Sequence, residues 1–138
     1  MLALRAARPL DVRDGRMLHD ATLLIQGDRI VAIGTDVEVP ASAVLRELGD
    51  ATLLPGLIDA HTHLSVDAWD GAWDTAVGRS TAAQALTGAA SARRTLRAGF
   101  TTVRNLGANS YADVALRDAI ARGEVPGPRV QAASLYIG

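Results

Sequence analysis

Apolar residues fall into two rhythms along this chain. Up to about residue 55 they come in short aliphatic runs that predict strands: residues 2–7, 21–26, 29–34, 44–48 and 52–53. Gly27-Asp28, between the second and third runs, is a two-residue hairpin signal. Pro40 with Ala41-Ser42 marks a connection. The pattern changes at Leu54-Pro55-Gly56. Residues 57–61 form a compact apolar strand, and a polar loop rich in Asp, Gly and Trp fills 65–74. The spacing then predicts a helix over 81–97. Ala82, Ala85, Leu86, Ala89 and Leu96 fall near one face, and Arg93, Arg94 and Arg97 cluster at the end that suits the helix dipole. Gly99 is the stop signal.

Residues 100–103 are β-branched and aromatic, which predicts a strand. A loop over 105–109 follows. Ser110 with Asp113 three residues later resembles an N-terminal capping pair. The helix behind it runs to about Arg122, with Ala112, Ala115, Leu116, Ala119 and Ile120 on its apolar side and Gly123 as C-cap. Pro126-Gly127-Pro128 breaks the chain, and residues 129–137 predict a last strand. The chain thus divides into a β region, 1–56, and an α/β region, 57–138. The β-α-β-α-β order of the second implies parallel strands with right-handed crossovers. An open three-stranded sheet would leave an exposed edge and a bare face.

Composition narrows the class. Of 138 residues, 49% are hydrophobic and 21% charged, which is globular rather than disordered. Aromatics make up only 4%, so the core is aliphatic and rich in alanine. The net charge of −1 offers no basic surplus for a phosphate backbone, which argues against nucleic acid. No Cys is present, so disulfides and thiolate metal sites are excluded. The basic N-terminal stretch lacks the apolar core and cleavage site of a signal peptide, and no run approaches a membrane span. These features predict a cytoplasmic protein with no membrane association.

His61 and His63 carry the strongest chemical signal. Residues two apart on a strand share a face, so both imidazoles point one way at the strand's C-terminal end. Two neutral imidazoles are a natural half of a zinc site. Two exposed histidines where a strand runs into a loop would have the same spacing. Asp59 lies on that face two residues earlier, where it could orient a ligand from behind. Asn105 ends the next strand: its amide either binds substrate or closes the turn, which Asn does well. Trp69 and Trp73 either wall a pocket or anchor their loop. Asp67, Asp70 and Asp74 read as a solvated acidic loop. His19 reads as a surface or turn residue. No Gly-rich phosphate loop follows any strand, which excludes a nucleotide-binding module.

Residues 55–64, PGLIDAHTHL, resemble the opening motif of the metal-dependent amidohydrolase superfamily. RAGFTTVRNLG, residues 97–107, resembles the family's second-strand segment, and RDAIARGEVPGPRV, residues 117–130, the following helix and third strand. Together they resemble the imidazolonepropionase-like and Xaa-Pro dipeptidase-like branch. The resemblance covers essentially the whole chain in the correct order. It implies an α/β fold: a small N-terminal β-sandwich segment, then the first three strands of a (β/α)8 TIM-like barrel, incomplete at this length because such a barrel needs roughly 250 residues. It implies that His61 and His63 bind metal, with zinc as the family expectation and one or two divalent ions in the complete protein. The substrate would be a small-molecule amide or dipeptide, cleaved at a C–N bond.

The resemblance also implies groups that this chain lacks. The family supplies a carboxylated Lys or a Glu near the fourth strand, histidines on the fifth and sixth, and a proton-transferring Asp on the eighth. All 14 basic residues here are Arg, so no carbamate-bridged metal pair can be built from them. No residue of this chain is assigned catalytic proton transfer, and Asp59 belongs to the strand interior rather than the mouth. The expectation is a truncated N-terminal portion of a hydrolase, weak in metal binding and inactive alone. The alternative is a non-catalytic remnant that forms a homo-oligomer through its open sheet edge, or a half that complements a separate C-terminal chain.

Overall fold

A computed structural model of the chain describes residues 1–66 and 78–135. Two compact units divide between Pro55 and Gly56.

The first unit, Met1–Pro55, holds seven described strands: β1 (Leu2–Ala6), β2 (Arg8–Asp11), β3 (Arg16–Met17), β4 (Ala21–Gln26), β5 (Arg29–Gly34), β6 (Val44–Glu47) and β7 (Thr52–Leu53). They form a four-stranded sheet in the order β5-β4-β1-β6 and a three-stranded sheet in the order β3-β2-β7. The predicted hairpin forms: β4 and β5 pair antiparallel, with Gln26 opposite Arg29 across Gly27-Asp28. Gly27 takes φ +61°, the left-handed conformation such a turn requires. The pairing of β1 with β4 sets Ala3 opposite Leu24 and Ala6 opposite Ala21, and all four are buried. The pairing β2–β3, joined through residues 12–15, has no aliphatic run to announce it. Its turn is held by Asp11 and Asp14 instead, which accept hydrogen bonds from Arg13 and Arg16.

The second unit, Gly56–Gly138, contains β8 (Leu57–Thr62), α1 (Thr81–Arg97), β9 (Phe100–Asn105), a 3-10 turn (Asn109–Tyr111), α2 (Ala112–Ala121) and β10 (Arg129–Ala132). Its three strands form a parallel sheet in the order β10-β9-β8, as the β-α-β-α-β order predicts. Both helices pack on it around a core of Leu64, Ala92, Val103, Leu116 and Val130. Gly56 has a steric reason: a Cβ there would lie 2.6 Å from Thr101 Cβ, so only hydrogen lets β8 start alongside β9. Among the described residues, no helix is long and apolar enough to cross a membrane.

Several local expectations are corrected. Of the predicted α1 face, Ala82, Ala85, Leu86, Ala89 and Leu96, Ala89 packs against the core while Ala82, Leu86 and Leu96 are exposed. The buried row of α1 is Gln84, Gly88 and Ala92, and Leu86 is 74% exposed. Gly88 wins because α2 comes so near: Leu116 Cδ2 lies 3.0 Å from where a Gly88 Cβ would sit. Small residues set the contact line, and the larger aliphatics flank it. Ser80 caps α1 by accepting from Ala83 N–H at 3.2 Å, a cap that the residue pattern did not single out.

The Ser110–Asp113 capping pair does not form. Ser110 and Tyr111 both take left-handed φ, 52° and 60°, and α2 begins without a side-chain cap. Asp113 is drawn into the interior instead. On α2, Ala112, Asp113 and Leu116 are buried while Ala115 is exposed. Within the described residues the last strand ends at Ala132, and Ser134 then turns the backbone with φ 72°. Residues 136–138 lie outside the described residues.

Candidate functional site

Three parallel strands end together. Thr62 of β8 lies opposite Asn105 of β9, and Asn105 lies opposite Ala132 of β10. Beyond that row the backbones stay tied: Leu106 N–H donates to Thr62 O at 2.9 Å, and Ala133 N–H to Asn105 O at 2.9 Å. The C-terminal ends of parallel strands are where α/β enzymes carry their sites, because the loops there are free to vary over a rigid base.

His61 is the penultimate residue of β8 and is exposed. His63 lies just past the strand and is half-buried. The pairing of β8 with β9 is irregular between Asp59 and Thr62, which turns the side chains at the end of the strand. The two imidazole rings stand edge to face, their centroids 5.4 Å apart and their planes at 67°. A tetrahedral ion bound by two imidazole nitrogens at about 2.0–2.1 Å would hold ring centroids about 5 Å apart. The observed separation of 5.4 Å is close to that distance. Two imidazoles suit borderline metals such as zinc. Among the described residues, no group of three or more His, Cys, Asp and Glu gathers around a point.

Asp59 is half-buried, and its Oδ1 accepts the backbone N–H of His61 at 3.0 Å. It thus braces the strand at His61 through the main chain. Arg104 donates from Nε to Ala60 O at 2.8 Å, and Thr62 Oγ1 donates to Arg104 O at 3.2 Å. These bonds lace the last turn of β8 to β9 where the ladder is irregular.

Asn105 is fully buried, on the helix-covered side of β9 with Val103. Its Oδ1 accepts Leu64 N–H at 2.7 Å, and its Nδ2 donates to Gly107 O at 3.0 Å and Asp113 Oδ2 at 3.2 Å. The amide closes the strand-to-loop turn and does more than that, because it reaches the residue after His63. Asp113, 1% exposed, also accepts Ser134 N–H at 3.0 Å through Oδ2 and Val114 N–H at 2.9 Å through Oδ1. Sequence reasoning missed Asp113 as a buried group. Its spacing from Ser110 had a ready helical explanation, and only the fold brings it beneath Asn105. Trp69, Trp73, Asp67, Asp70 and Asp74 lie outside the described residues. His19 is exposed in a bend, as expected.

A separate apolar cavity of about 310 Å³ lies within the first unit, lined by residues including Leu10, Leu23, Ile33 and Leu53. Asp11 and Arg13 also line it. The Arg13 side chain, helped by its backbone N–H, brings the Asp11 carboxyl down to about 2.

The second unit is a mixed α/β unit with a histidine pair at the carboxyl end of its parallel sheet. Comparison with known proteins makes it particular. The amidohydrolase family profile matches residues 52–138, and the chain belongs to that family. It is 29% identical to an imidazolonepropionase of Deinococcus radiodurans over 125 residues, 88% of this chain and 28% of that protein. It is 38% identical to an allantoinase of Streptomyces avermitilis over 76 residues, 52% of this chain and 16% of that one. The solved structure of a Xaa-Pro dipeptidase superposes with a TM-score of 0.82 at 27% identity, covering 99% of this chain and 34% of the dipeptidase. The chain thus spans about a third or less of each of these relatives.

Proposed function

We propose that these residues form the metal-binding opening segment of an amidohydrolase that cleaves an amide or peptide-like C–N bond in a small molecule. The observation that carries this reading is the His61–His63 pair, rings 5.4 Å apart, at the carboxyl end of a parallel sheet. Family membership supports it, as do the imidazolonepropionase and dipeptidase relatives. In this reading the three strands belong to a (β/α)8 barrel, residues 57–138 being its start, and residues 1–56 belong to a small β-sandwich. The substrate class is a dipeptide, an N-acyl amino acid or a cyclic amide.

His61 and His63 would hold a divalent ion, with zinc the family expectation. Such an ion, when bound, lowers the pKa of a water and polarises a carbonyl. Asp59 keeps the backbone of His61 in place, and Asn105 that of Leu64. No residue of this chain is assigned the proton transfer. The test is the zinc content and affinity of the purified chain beside the double variant His61→Ala/His63→Ala. The expected result is divalent-ion binding that the double variant loses. Binding that survives in the double variant refutes the reading.

A second reading rests on the edge of the sheet. Among the described residues β8 is an outer strand, and its Leu57 and Ile58 are exposed, the latter at 72%. An apolar parallel edge strand favours pairing with further strands. These would come from a second copy or from a separate C-terminal half, and the site would gain its remaining ligands by assembly. Sedimentation of the chain with and without zinc separates this from a lone monomer.

A further inference from the structure

The ladder of β8 ends at Thr62, so His61 lies within the strand and His63 just beyond it. His63 has fixed backbone on both sides all the same. Thr62 O before it accepts Leu106 N–H at 2.9 Å, and Leu64 N–H after it donates to Asn105 Oδ1 at 2.7 Å. The second of these bonds comes from a side chain, so it depends on one residue type.

That side chain can sit only one way round. A carboxamide has one acceptor and two donors. In Asn105 both donors are used, toward Gly107 O and Asp113 Oδ2. Rotating the amide by half a turn would set Nδ2 against Leu64 N–H, and Oδ1 against a carbonyl and a carboxylate. Asp113 thus fixes the orientation of Asn105, and Asn105 fixes Leu64. Asp113 is held in turn by Ser134 N–H and Val114 N–H. The network joins the ends of β8, β9 and β10 to the start of α2, and both its side chains are buried. Burial excludes water, which would otherwise replace any of these bonds at small cost.

We infer that Asn105, oriented by Asp113, is a positioning residue: it clamps the chain just after His63 and so sets the placement of the His63 imidazole relative to that of His61. The inference rests on the proposed metal site. An aspartate at position 105 would bring a second carboxylate against Asp113 in a buried site and would remove the donor that Asn105 gives to Gly107 O.

The test compares the 138-residue chain with Asn105→Ala, Asn105→Asp, the swap Asn105→Asp/Asp113→Asn, His61→Ala/His63→Ala, and Leu116→Ala as a core control. Two readouts are taken: amide hydrogen exchange at Leu64 in the metal-free chain, and affinity for Zn²⁺ with the Co²⁺ absorption spectrum as a report on coordination. In Asn105→Ala and Asn105→Asp, Leu64 exchanges faster and Zn²⁺ affinity falls by about 10–100-fold, the usual range for a lost supporting contact. The Co²⁺ spectrum changes with it. The swap recovers part of both. Its carboxylate, introduced at position 105, can again accept Leu64 N–H, while the amide introduced at position 113 supplies a donor. Leu116→Ala lowers stability and leaves the Co²⁺ spectrum of the folded chain unchanged.

Unchanged Leu64 exchange in Asn105→Ala overturns the clamp. Faster exchange with wild-type Zn²⁺ affinity and spectrum, while His61→Ala/His63→Ala abolishes binding, overturns the positioning role and leaves the metal site standing. Zn²⁺ binding that persists in His61→Ala/His63→Ala overturns both. If Asn105→Ala does not fold, the comparison of Asn105→Asp with its swap decides, since recovery in the swap requires the pair to act together.

Discussion

Replacing Gly56 by Ala puts a methyl group where the fold has no room. The new Cβ would stand 2.6 Å from Thr101 Cβ, and the nearest atoms all belong to the Thr101 side chain. Ordinary carbon–carbon contact needs about 3.5–4.0 Å, so the backbones must separate by about 1 Å or more. Thr101 cannot swing clear, because its branch point itself is in the way. Overpacking of this kind costs about 1–3 kcal/mol. The less flexible unfolded chain of the Ala variant returns about 0.4–1 kcal/mol. The net expectation is a loss of about 1–2 kcal/mol.

Urea unfolding followed by circular dichroism reads this as a lower midpoint with an unchanged slope. In a unit of this size it amounts to a fall in Tm of about 4–8 °C per kcal/mol. The double variant Gly56→Ala/Thr101→Gly removes the three atoms nearest the methyl, so it should be less destabilised than the sum of its parts. The coupling expected for touching residues is about 0.5–3 kcal/mol. A Gly56→Ala chain as stable as wild type, or additive behaviour with Thr101→Gly, would refute the close-approach account of this glycine.

Other consequences can be checked the same way. Leu116 lies at the centre of the core with Leu64, Ala92, Val103 and Val130, so Leu116→Ala should cost about 2–5 kcal/mol in a urea melt. A loss under about 1 kcal/mol would mean the helices close over the gap. Asp11 titrates at about 2, below its usual 3.8, because the Arg13 side chain and then its backbone N–H bond the charged form. The sign follows from the lowered value: the ion pair stabilises the fold above about pH 4, and that contribution is lost as the pH falls toward 2. Arg13→Ala should move the Asp11 carboxyl back toward its ordinary range in a ¹³C NMR titration. An unmoved midpoint would mean that other groups set it.

Much of the strand order is legible in the residue pattern alone. Short aliphatic runs at 21–26 and 29–34, with a Gly-Asp turn between, leave a hairpin as the economical solution, and that hairpin forms. The β-α-β-α-β order after residue 56 implies parallel strands, and the three are parallel. The nearness of His61 and His63 follows from a two-residue spacing, because local backbone geometry alone puts them on one side.

Other features depend on which distant element arrives where. The parallel pairing of β1 with β6 brings together segments far apart in the chain, and the β2–β7 pairing does the same; neither segment encodes its partner. Helical periodicity placed Leu86 on the α1 core face, but α2 approaches so closely that Gly88 and Ala92 line the contact and Leu86 is left outside. Asp113 read locally as a helix-capping partner, yet a carboxylate goes where donors converge. The donors of Asn105 and Ser134 meet there only after three strands have paired. The sequence by itself therefore determined the elements, their order and the histidine pair, all of which rest on contacts within a few residues. Tertiary structure alone decided the buried faces, the β1–β6 and β2–β7 pairings and the clamp behind His63, because each needs groups that are far apart in the chain to meet in space.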